Sequence, residues 1–342
     1  MIRHPLSRSK IYLDTTTLLR ATASLNELDR PVEGSACGRS EGGLRLRYSQ
    51  GMPLDTIPGQ GLLGEDRVLS TSDGRRIRTM VRGDANDLVV LEAGLGFSGL
   101  YWGFVHESLA ARTRVIAYER AGFGGSDPDS RPRTLARLAA DLDSVIDAFP
   151  HRRLVLVGHS WGGPIVRTVA ALRLQRGLPL SGLVLVDQSD ENSEMYFSSF
   201  ARFQFAAQAA MMVPLARLRL LAPLSRGLIA GLPEPLRRCV IAASCLPAAA
   251  RATAAEQRHV IDGLRSLRES PGVLGDVPIR VISGQQAGVL DAKIRASIIQ
   301  AHKATVSQNP GARFIPANGS GHMVPVTEPG LVASEVLALL DG

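Results

Sequence analysis

The sequence predicts an α/β protein with a mostly parallel sheet of eight strands and helices on both faces. Short apolar runs alternate with segments whose apolar residues recur at helical spacing. This alternation is typical of parallel strands that are joined by crossover helices. With 45% hydrophobic and 21% charged residues among 342, the chain holds enough apolar material for a large core.

Eight short runs predict the strands of this sheet. The first two flank Asp73-Gly74, a residue pair that favours a hairpin turn. The later runs are mainly apolar, as expected of strands that are covered on both faces. In chain order the predicted strands span residues 67–70, 76–82, 88–91, 115–118, 154–157, 183–186, 279–282 and 313–315.

Helical periodicity predicts three core helices, at residues 133–149, 164–175 and 331–340. The sixth and seventh strands lie about 90 residues apart, whereas a parallel crossover needs only about a dozen. Prolines interrupt helical hydrogen bonding. They divide this stretch into predicted helices at 196–212, 214–232, 236–245 and 248–270. The sequence therefore predicts a helical cap that is inserted into the core.

The beginning of the chain differs from the rest. Turn-forming residues are frequent there and apolar periodicity is weak. This pattern predicts a poorly ordered extension, and Met52 is an alternative start of the protein. The predicted division is an N-terminal extension at 1–60, the first part of the core at 61–190, the cap at 191–275 and the second part of the core at 276–342.

The net charge of +7 comes mainly from arginine, since only three of the 39 basic residues are lysine. The arginines are scattered along the chain, whereas a nucleic-acid-binding protein tends to concentrate them on one element. We therefore expect no nucleic-acid partner. The sequence shows neither a signal peptide nor an apolar run of about 18 residues, which predicts a cytoplasmic location. The three cysteines lack metal-ligand spacing, so no metal is expected.

Residues 158–162 read Gly-His-Ser-Trp-Gly and fit the pattern G-x-S-x-G. The pattern directly follows a predicted strand and opens a predicted helix, which is the context that the motif requires. Such a turn strains the backbone of its central residue and tolerates only small neighbours. Ser160 is therefore the predicted nucleophile.

A serine hydroxyl needs a base that removes its proton. Of the seven histidines, only His322 lies in a loop directly after the last predicted strand. His159 lies within the turn itself and is expected to point away from Ser160. His322 is the predicted general base. The backbone N–H groups of Trp161 and Leu95 are predicted to stabilise a developing oxyanion.

Four blocks of the sequence carry a resemblance to a known family. They are residues 91–96, residues 118–127, residues 158–163, and residues 319–322 together with Glu328-Pro329. In this order they resemble the α/β-hydrolase superfamily, and in particular its serine hydrolases with a helical cap. With the strands between them they cover about residues 66–190 and 275–342. The resemblance implies a catalytic triad and chemistry without a cofactor.

The sequence departs from the family pattern at two positions. Ala93 stands where a histidine is common, which matters little because the neighbouring donor is a backbone group. Ala287 stands where the triad acid commonly follows the seventh strand. Three other aspartates are candidates for the acid: Asp187 at the end of the sixth strand, Asp190 just beyond it, and Asp291 after the seventh strand.

These features predict a serine hydrolase that cleaves a carboxylic ester or related carbonyl compound through an acyl-enzyme on Ser160. A non-catalytic ligand-binding member of the fold is the alternative, as is a C–C bond hydrolase, aminopeptidase or acyltransferase with the same triad. Met211 and Met212 in the predicted cap favour a small-molecule substrate with an apolar acyl or ring portion. Contact of the cap with a membrane surface is the less favoured interpretation of the same residues.

Overall fold

A computed structural model describes residues 57–288 and 291–341. Most of the predicted N-terminal extension at 1–60, including Cys37 and Met52, lies outside the described residues.

Eight strands form a single sheet. They are β1 (Glu65–Ser70), β2 (Arg76–Arg82), β3 (Asp87–Glu92), β4 (Arg114–Tyr118), β5 (Arg153–His159), β6 (Gly182–Val186), β7 (Ile279–Gly284) and β8 (Ala312–Ala317). Their order is β1-β2-β4-β3-β5-β6-β7-β8. Strand β2 pairs antiparallel with β1 and β4, and the remaining pairs are parallel. The predicted mostly parallel sheet of eight strands is confirmed.

The described helices alternate with the strands. They are α1 (Gly103–Ala110), α2 (Leu135–Asp147), α3 (Gly162–Gln175), α4 (Ser199–Arg217), α5 (Leu221–Arg226), α6 (Glu234–Cys245), α7 (Pro247–Gln257), α8 (Val260–Glu269), α9 (Ala292–Gln308), α10 (Val324–Thr327) and α11 (Pro329–Asp341). None of the described helices is both long and apolar enough to cross a bilayer.

Side chains of the central strands alternate between two hydrophobic clusters, because successive residues of a strand point to opposite faces. Leu88 and Val90 of β3 belong to one cluster, together with apolar side chains of α2, α3 and α8. Val89 and Leu91 belong to the other, together with side chains of α1, α6 and α11. The sheet is thus covered on both faces, which explains why its parallel strands read as continuous apolar runs.

Five helices, α4 to α8, lie between β6 and β7, and we call residues 194–269 the helical insertion. Two of its predicted boundaries are wrong. Helix α4 continues through Pro214, because a proline near the helix end removes only one hydrogen bond and the N–H of Leu218 still reaches the Pro214 carbonyl. The predicted helix at 248–270 is two helices, because the chain turns at Arg258-His259 and the His259 N–H donates to Glu256.

Candidate active site

Ser160 lies at a sharp turn between β5 and α3. Its φ is 53°, a left-handed conformation that is costly for a residue other than glycine. Backbone hydrogen bonds hold it there. The Ser160 N–H donates to Val186 at 3.0 Å, and its carbonyl accepts from Gly163 and Ser189 at 3.0 and 2.9 Å. The turn presents the hydroxyl at the carboxyl edge of the sheet.

The glycines beside Ser160 are required by close backbone approach. A Cβ atom at Gly158 would lie 2.4 Å from the Gly162 carbonyl oxygen. One at Gly162 would lie 2.6 Å from the carbonyl oxygen of Glu92. Both distances are shorter than real Cβ contacts, so the motif needs small residues at these positions for the steric reason that the sequence indicated.

Three side chains from three separate segments meet at this edge. His322 Nε2 lies 3.1 Å from Ser160 Oγ, and His322 Nδ1 lies 2.7 Å from Asp187 Oδ2. Because a carboxylate only accepts, Nδ1 carries a proton and Nε2 is left free to accept the hydroxyl proton. The His322 side chain is 46% exposed, whereas that of Asp187 is fully buried. This is the geometry of a serine triad.

Asp187 follows β6 and also has a left-handed backbone, with φ of 40°. Its Oδ1 accepts from the Gly284 N–H at 2.9 Å and from Arg295 Nη1 at 2.7 Å. Burial alone would raise the pKa of the Asp187 carboxyl, but the hydrogen bond from His322 and the charges of His322, His302 and Arg295 hold that pKa well below its usual range. The carboxylate is therefore ionised and fixed in one orientation.

The sequence interpretation missed Arg295. It lies on the inner face of α9 and is 9% exposed. No motif contains it, and its only signal is its position on the helix that follows β7. The structure shows that it is the cation that faces Asp187.

The other two candidate acids do not contact His322. Asp190 is buried and accepts hydrogen bonds from Gln188, Asn192 and Thr305, so it ties the loop after β6 to α9. Asp291 lies at the beginning of α9, where its carbonyl accepts from the Arg295 N–H. Among the three aspartates, only Asp187 lies within hydrogen-bond distance of the His322 ring.

The two expected oxyanion donors lie beside Ser160. Trp161 directly precedes α3, and a Cβ atom at Gly94 would lie 3.3 Å from Ser160 Cβ. Arg120 Nη2 donates to the Gly94 carbonyl at 2.9 Å. Because a peptide group is planar and trans, this bond turns the Leu95 N–H away from Arg120. Among the described residues, neither the Leu95 N–H nor the Trp161 N–H has a partner.

Arg120 is itself held by two buried carboxylates. Its guanidinium lies 2.7 Å from Glu92 and 2.9 Å from Glu256, and all three side chains are at most 1% exposed. Burial disfavours charge on Arg120, but Glu256 and Glu92 outweigh it and raise the pKa of the guanidinium. Glu256 belongs to α7, so the helical insertion is joined to the loop that carries Leu95.

His159 also connects two parts of the site. Its Nε2–H donates to the His322 carbonyl at 2.8 Å, which leaves Nδ1 to accept from the Tyr101 hydroxyl at 2.9 Å. The same hydroxyl accepts the Gly94 N–H at 3.2 Å. Burial lowers the pKa of His159 to about 3, and the nearby His322 ring acts in the same direction, so the ring is neutral. His159 points away from Ser160, as expected, but no sequence motif indicates its hydrogen bonds to Tyr101 and His322.

Within the described ranges, no group of three or more His, Cys, Asp or Glu side chains is arranged to hold a metal ion.

Comparison with known proteins identifies the type of fold that carries this site. The model of the alpha/beta hydrolase family matches residues 88–335. An epoxide hydrolase structure, CorEH without ligand, has a TM-score of 0.65 at 16% identity and covers 81% of this chain and 98% of its own. An esterase from Exiguobacterium antarcticum has a TM-score of 0.61 at 17% identity and covers 80% of this chain and 99% of its own.

The similarity between this chain and its curated relatives extends over aligned segments of different lengths. The dihydrolipoyllysine-residue acetyltransferase component of an acetoin cleaving system from Pseudomonas putida is 26% identical over 276 residues, which is 78% of this chain and 67% of that protein. The chain matches only 18%, 33% and 39% of the length of the first three curated relatives.

Proposed function

Because the chain belongs to the alpha/beta hydrolase family, we propose that it is a serine hydrolase that cleaves a carboxylic ester or a related carbonyl compound. The observation that carries the proposal is the hydrogen-bonded series from Ser160 Oγ through the His322 ring to the Asp187 carboxylate. A nucleophile, a base and an ionised group that orients the base are the minimum that acyl transfer requires.

In the proposed first half-reaction, Ser160 Oγ attacks the substrate carbonyl while His322 Nε2 takes the hydroxyl proton. Asp187 stabilises the imidazolium that forms. The carbonyl oxygen becomes an oxyanion that accepts the N–H groups of Leu95 and Trp161. As the carbon–oxygen bond to the leaving alcohol breaks, His322 returns the proton to that oxygen and Ser160 is left as an ester.

In the second half-reaction, His322 removes a proton from water and the resulting hydroxide adds to the acyl-enzyme. The tetrahedral intermediate uses the same two backbone donors. Collapse releases the carboxylic acid, and the proton held by His322 returns to Ser160 Oγ. Nothing beyond substrate and water is consumed.

The serine at position 160 disfavours epoxide opening, although an epoxide hydrolase is among the similar structures. Attack of a serine oxygen on an epoxide carbon would form an ether, which water does not hydrolyse. A carbonyl substrate gives an ester intermediate that water can cleave. The same triad is also compatible with C–C bond hydrolysis, aminopeptidase activity or acyl transfer, and a non-catalytic binding role is the remaining alternative.

Hydrolysis of p-nitrophenyl esters of increasing acyl length tests the proposal. We expect turnover by the intact chain and a fall of at least about a thousandfold in kcat for Ser160→Ala, since loss of a triad member removes most of the rate enhancement. Ser307→Ala is the matched control, because Ser307 is exposed on α9 and its hydroxyl donates to the Ala304 carbonyl, away from the candidate site. Activity of Ser160→Ala close to that of the control would contradict the proposal.

A further inference from the structure

Helix α4 of the helical insertion has an exposed apolar face. Phe200, Phe203, Met211 and Leu218 are 48%, 70%, 50% and 68% exposed. With 100° between successive residues, they fall within an arc of about 80°. Exposed Ala207 and Pro214 lie in the same arc, so the stripe is continuous along the helix. The opposite, buried face consists of Ala201, Phe205, Ala209 and Ala216. Three of these four buried residues are alanine, whereas the exposed stripe carries two phenylalanines, which departs from the usual pattern of a surface helix.

The charge around this face has one sign. Residues 195–233 contain no aspartate or glutamate. Four arginines in the stretch are exposed: Arg202, Arg217, Arg219 and Arg226. Among the described residues these four have no carboxylate partner, whereas buried Arg133 and Arg173 each pair with two aspartates. Arg217 lies about 40° from the edge of the stripe and Arg219 directly follows Leu218, whereas Arg202 lies on another side of the helix. The C-terminal end of the stripe is therefore next to uncompensated positive charge.

We propose that α4 docks on the surface of an anionic lipid bilayer. Phenylalanine, leucine and methionine would enter the boundary between headgroups and acyl chains, and Arg217 and Arg219 would bind headgroup phosphates. An outward-facing helix is convex and cannot surround a small ligand, whereas ligand-binding sites are concave. The face of α4 therefore suits an extended lipid surface better than a single enclosed ligand.

The charges also argue against a second copy of this chain as the occupant. A twofold interface places the same patch of both copies in contact. The arginines of the two patches would then face each other, and residues 195–233 offer no carboxylate to neutralise them. An anionic surface supplies the complementary charge.

The docked helix would lie close to the candidate active site. Helix α4 packs on α7, and α7 contacts the loop that carries Leu95. A Cβ atom at Gly96 would lie 3.3 Å from Thr253 Cγ2 of α7. One layer of helix therefore separates the docking face from that loop, so an apolar substrate that leaves the bilayer would have a short path to Ser160. Docking itself does not depend on the chemistry of Ser160.

Co-sedimentation of the full chain with vesicles tests the proposal. We expect binding to vesicles of equal parts phosphatidylglycerol and phosphatidylcholine, and much weaker binding to phosphatidylcholine alone or at high salt. Phe200→Ser with Phe203→Ser should lower the partition coefficient at least about tenfold. Arg217→Gln with Arg219→Gln should lower the partition coefficient about fivefold per arginine, on anionic vesicles only.

Controls separate docking from folding and from catalysis. Leu172→Ser with Val273→Ser removes apolar side chains that are 44% and 74% exposed outside the insertion, and should bind as the unchanged chain does. Ser160→Ala should also bind normally. The Phe200, Phe203 double variant should keep its activity on a water-soluble ester, which shows that it folds.

Absence of binding to anionic vesicles, or binding that survives loss of both phenylalanines, would overturn the proposal. A dimer in light scattering that disappears in this variant would do the same, because it would identify a second copy as the occupant.

Discussion

At the scale of residues, the acid of the proposed triad is the part of the site that the sequence leaves most open. Asp187, Asp190 and Asp291 all lie after strands whose carboxyl ends meet at the same edge of the sheet. Their separation in the sequence does not tell which one points at His322. The choice depends on the left-handed backbone of Asp187 and on hydrogen bonds from Gly284 and Arg295, which come from β7 and α9. These are long-range contacts that no local pattern encodes.

Ser160, His322, Leu95 and Trp161 could be placed from sequence, because each lies within or beside a short motif with a fixed geometry. The links between them could not. His159 and Arg120 act through hydrogen bonds to backbone carbonyls of distant segments, and Tyr101 hydrogen-bonds the His159 ring. Their residue types are equally compatible with ordinary core positions.

Substitution of the triad acid is a prediction at this scale. Asp187→Asn keeps the size of the side chain but removes the charge that stabilises the His322 imidazolium. We expect kcat for ester hydrolysis to fall by about two to four orders of magnitude. Asp190→Asn and Asp291→Asn should each lower kcat by less than about tenfold, since neither side chain reaches His322. Circular dichroism must show that Asp187→Asn remains folded beside Arg295. A large loss of kcat in Asp291→Asn, together with full activity of Asp187→Asn, would contradict the assignment of Asp187 as the acid.

At the scale of elements, the strands were predictable and α9 was not. Parallel strands that are covered on both faces consist of apolar runs, which the sequence displays directly. The buried positions of α9 are Arg295, Ala301, His302 and Thr305, three of them polar. Arg295, His302 and Thr305 form hydrogen bonds with Asp187, Ser283 and Asp190, respectively, and do not pack in an apolar core. A helix whose inner face is polar has no apolar periodicity to detect.

The contact between the helical insertion and the oxyanion loop gives a second prediction. Glu256→Gln removes the carboxylate of α7 that holds Arg120, and Arg120 orients the Leu95 peptide. We expect kcat to fall at least about tenfold with little change in KM, because the oxyanion forms only after the substrate binds. The free energy of unfolding should fall by about 3–5 kcal/mol, as when one partner of a buried ion pair is lost.

The matched control for this experiment is Glu194→Gln, also in the insertion. Glu194 pairs with Arg268 at 2.7 Å but is 81% exposed, so its loss should change neither quantity measurably. If Glu256→Gln loses stability and keeps its full kcat, Arg120 has a structural role alone. Kinetics on a soluble ester together with urea denaturation distinguish the two results.

At the scale of the whole molecule, two buried histidines predict how stability depends on pH. Burial lowers the pKa of His106 to about 4 and that of His159 to about 3, from an ordinary value of 6.5. The unfolded chain therefore binds protons that the folded protein excludes, so the stabilisation is complete above about pH 6.5 and is lost as the pH falls. The loss is about 1.4 kcal/mol per pH unit for each histidine.

Urea denaturation at a series of pH values measures this dependence. Between about pH 7.5 and about pH 5, the two histidines together should lower the free energy of unfolding by about 4 kcal/mol. His106→Gln keeps a donor for the Met80 carbonyl but does not titrate, so it should halve the slope. A slope that is flat in the unchanged chain, or identical in the variant, would show that these rings are not buried and neutral.

We propose that Ser160 is a nucleophile that forms a covalent acyl-enzyme. A fluorophosphonate probe reacts with a serine only when a base activates it, and mass spectrometry of proteolytic peptides locates the adduct. We predict one adduct on the intact chain, on Ser160, that is absent in Ser160→Ala, strongly slowed in His322→Ala and unchanged in Ser307→Ala. A folded protein without an adduct, or with an adduct at another residue, would contradict the account.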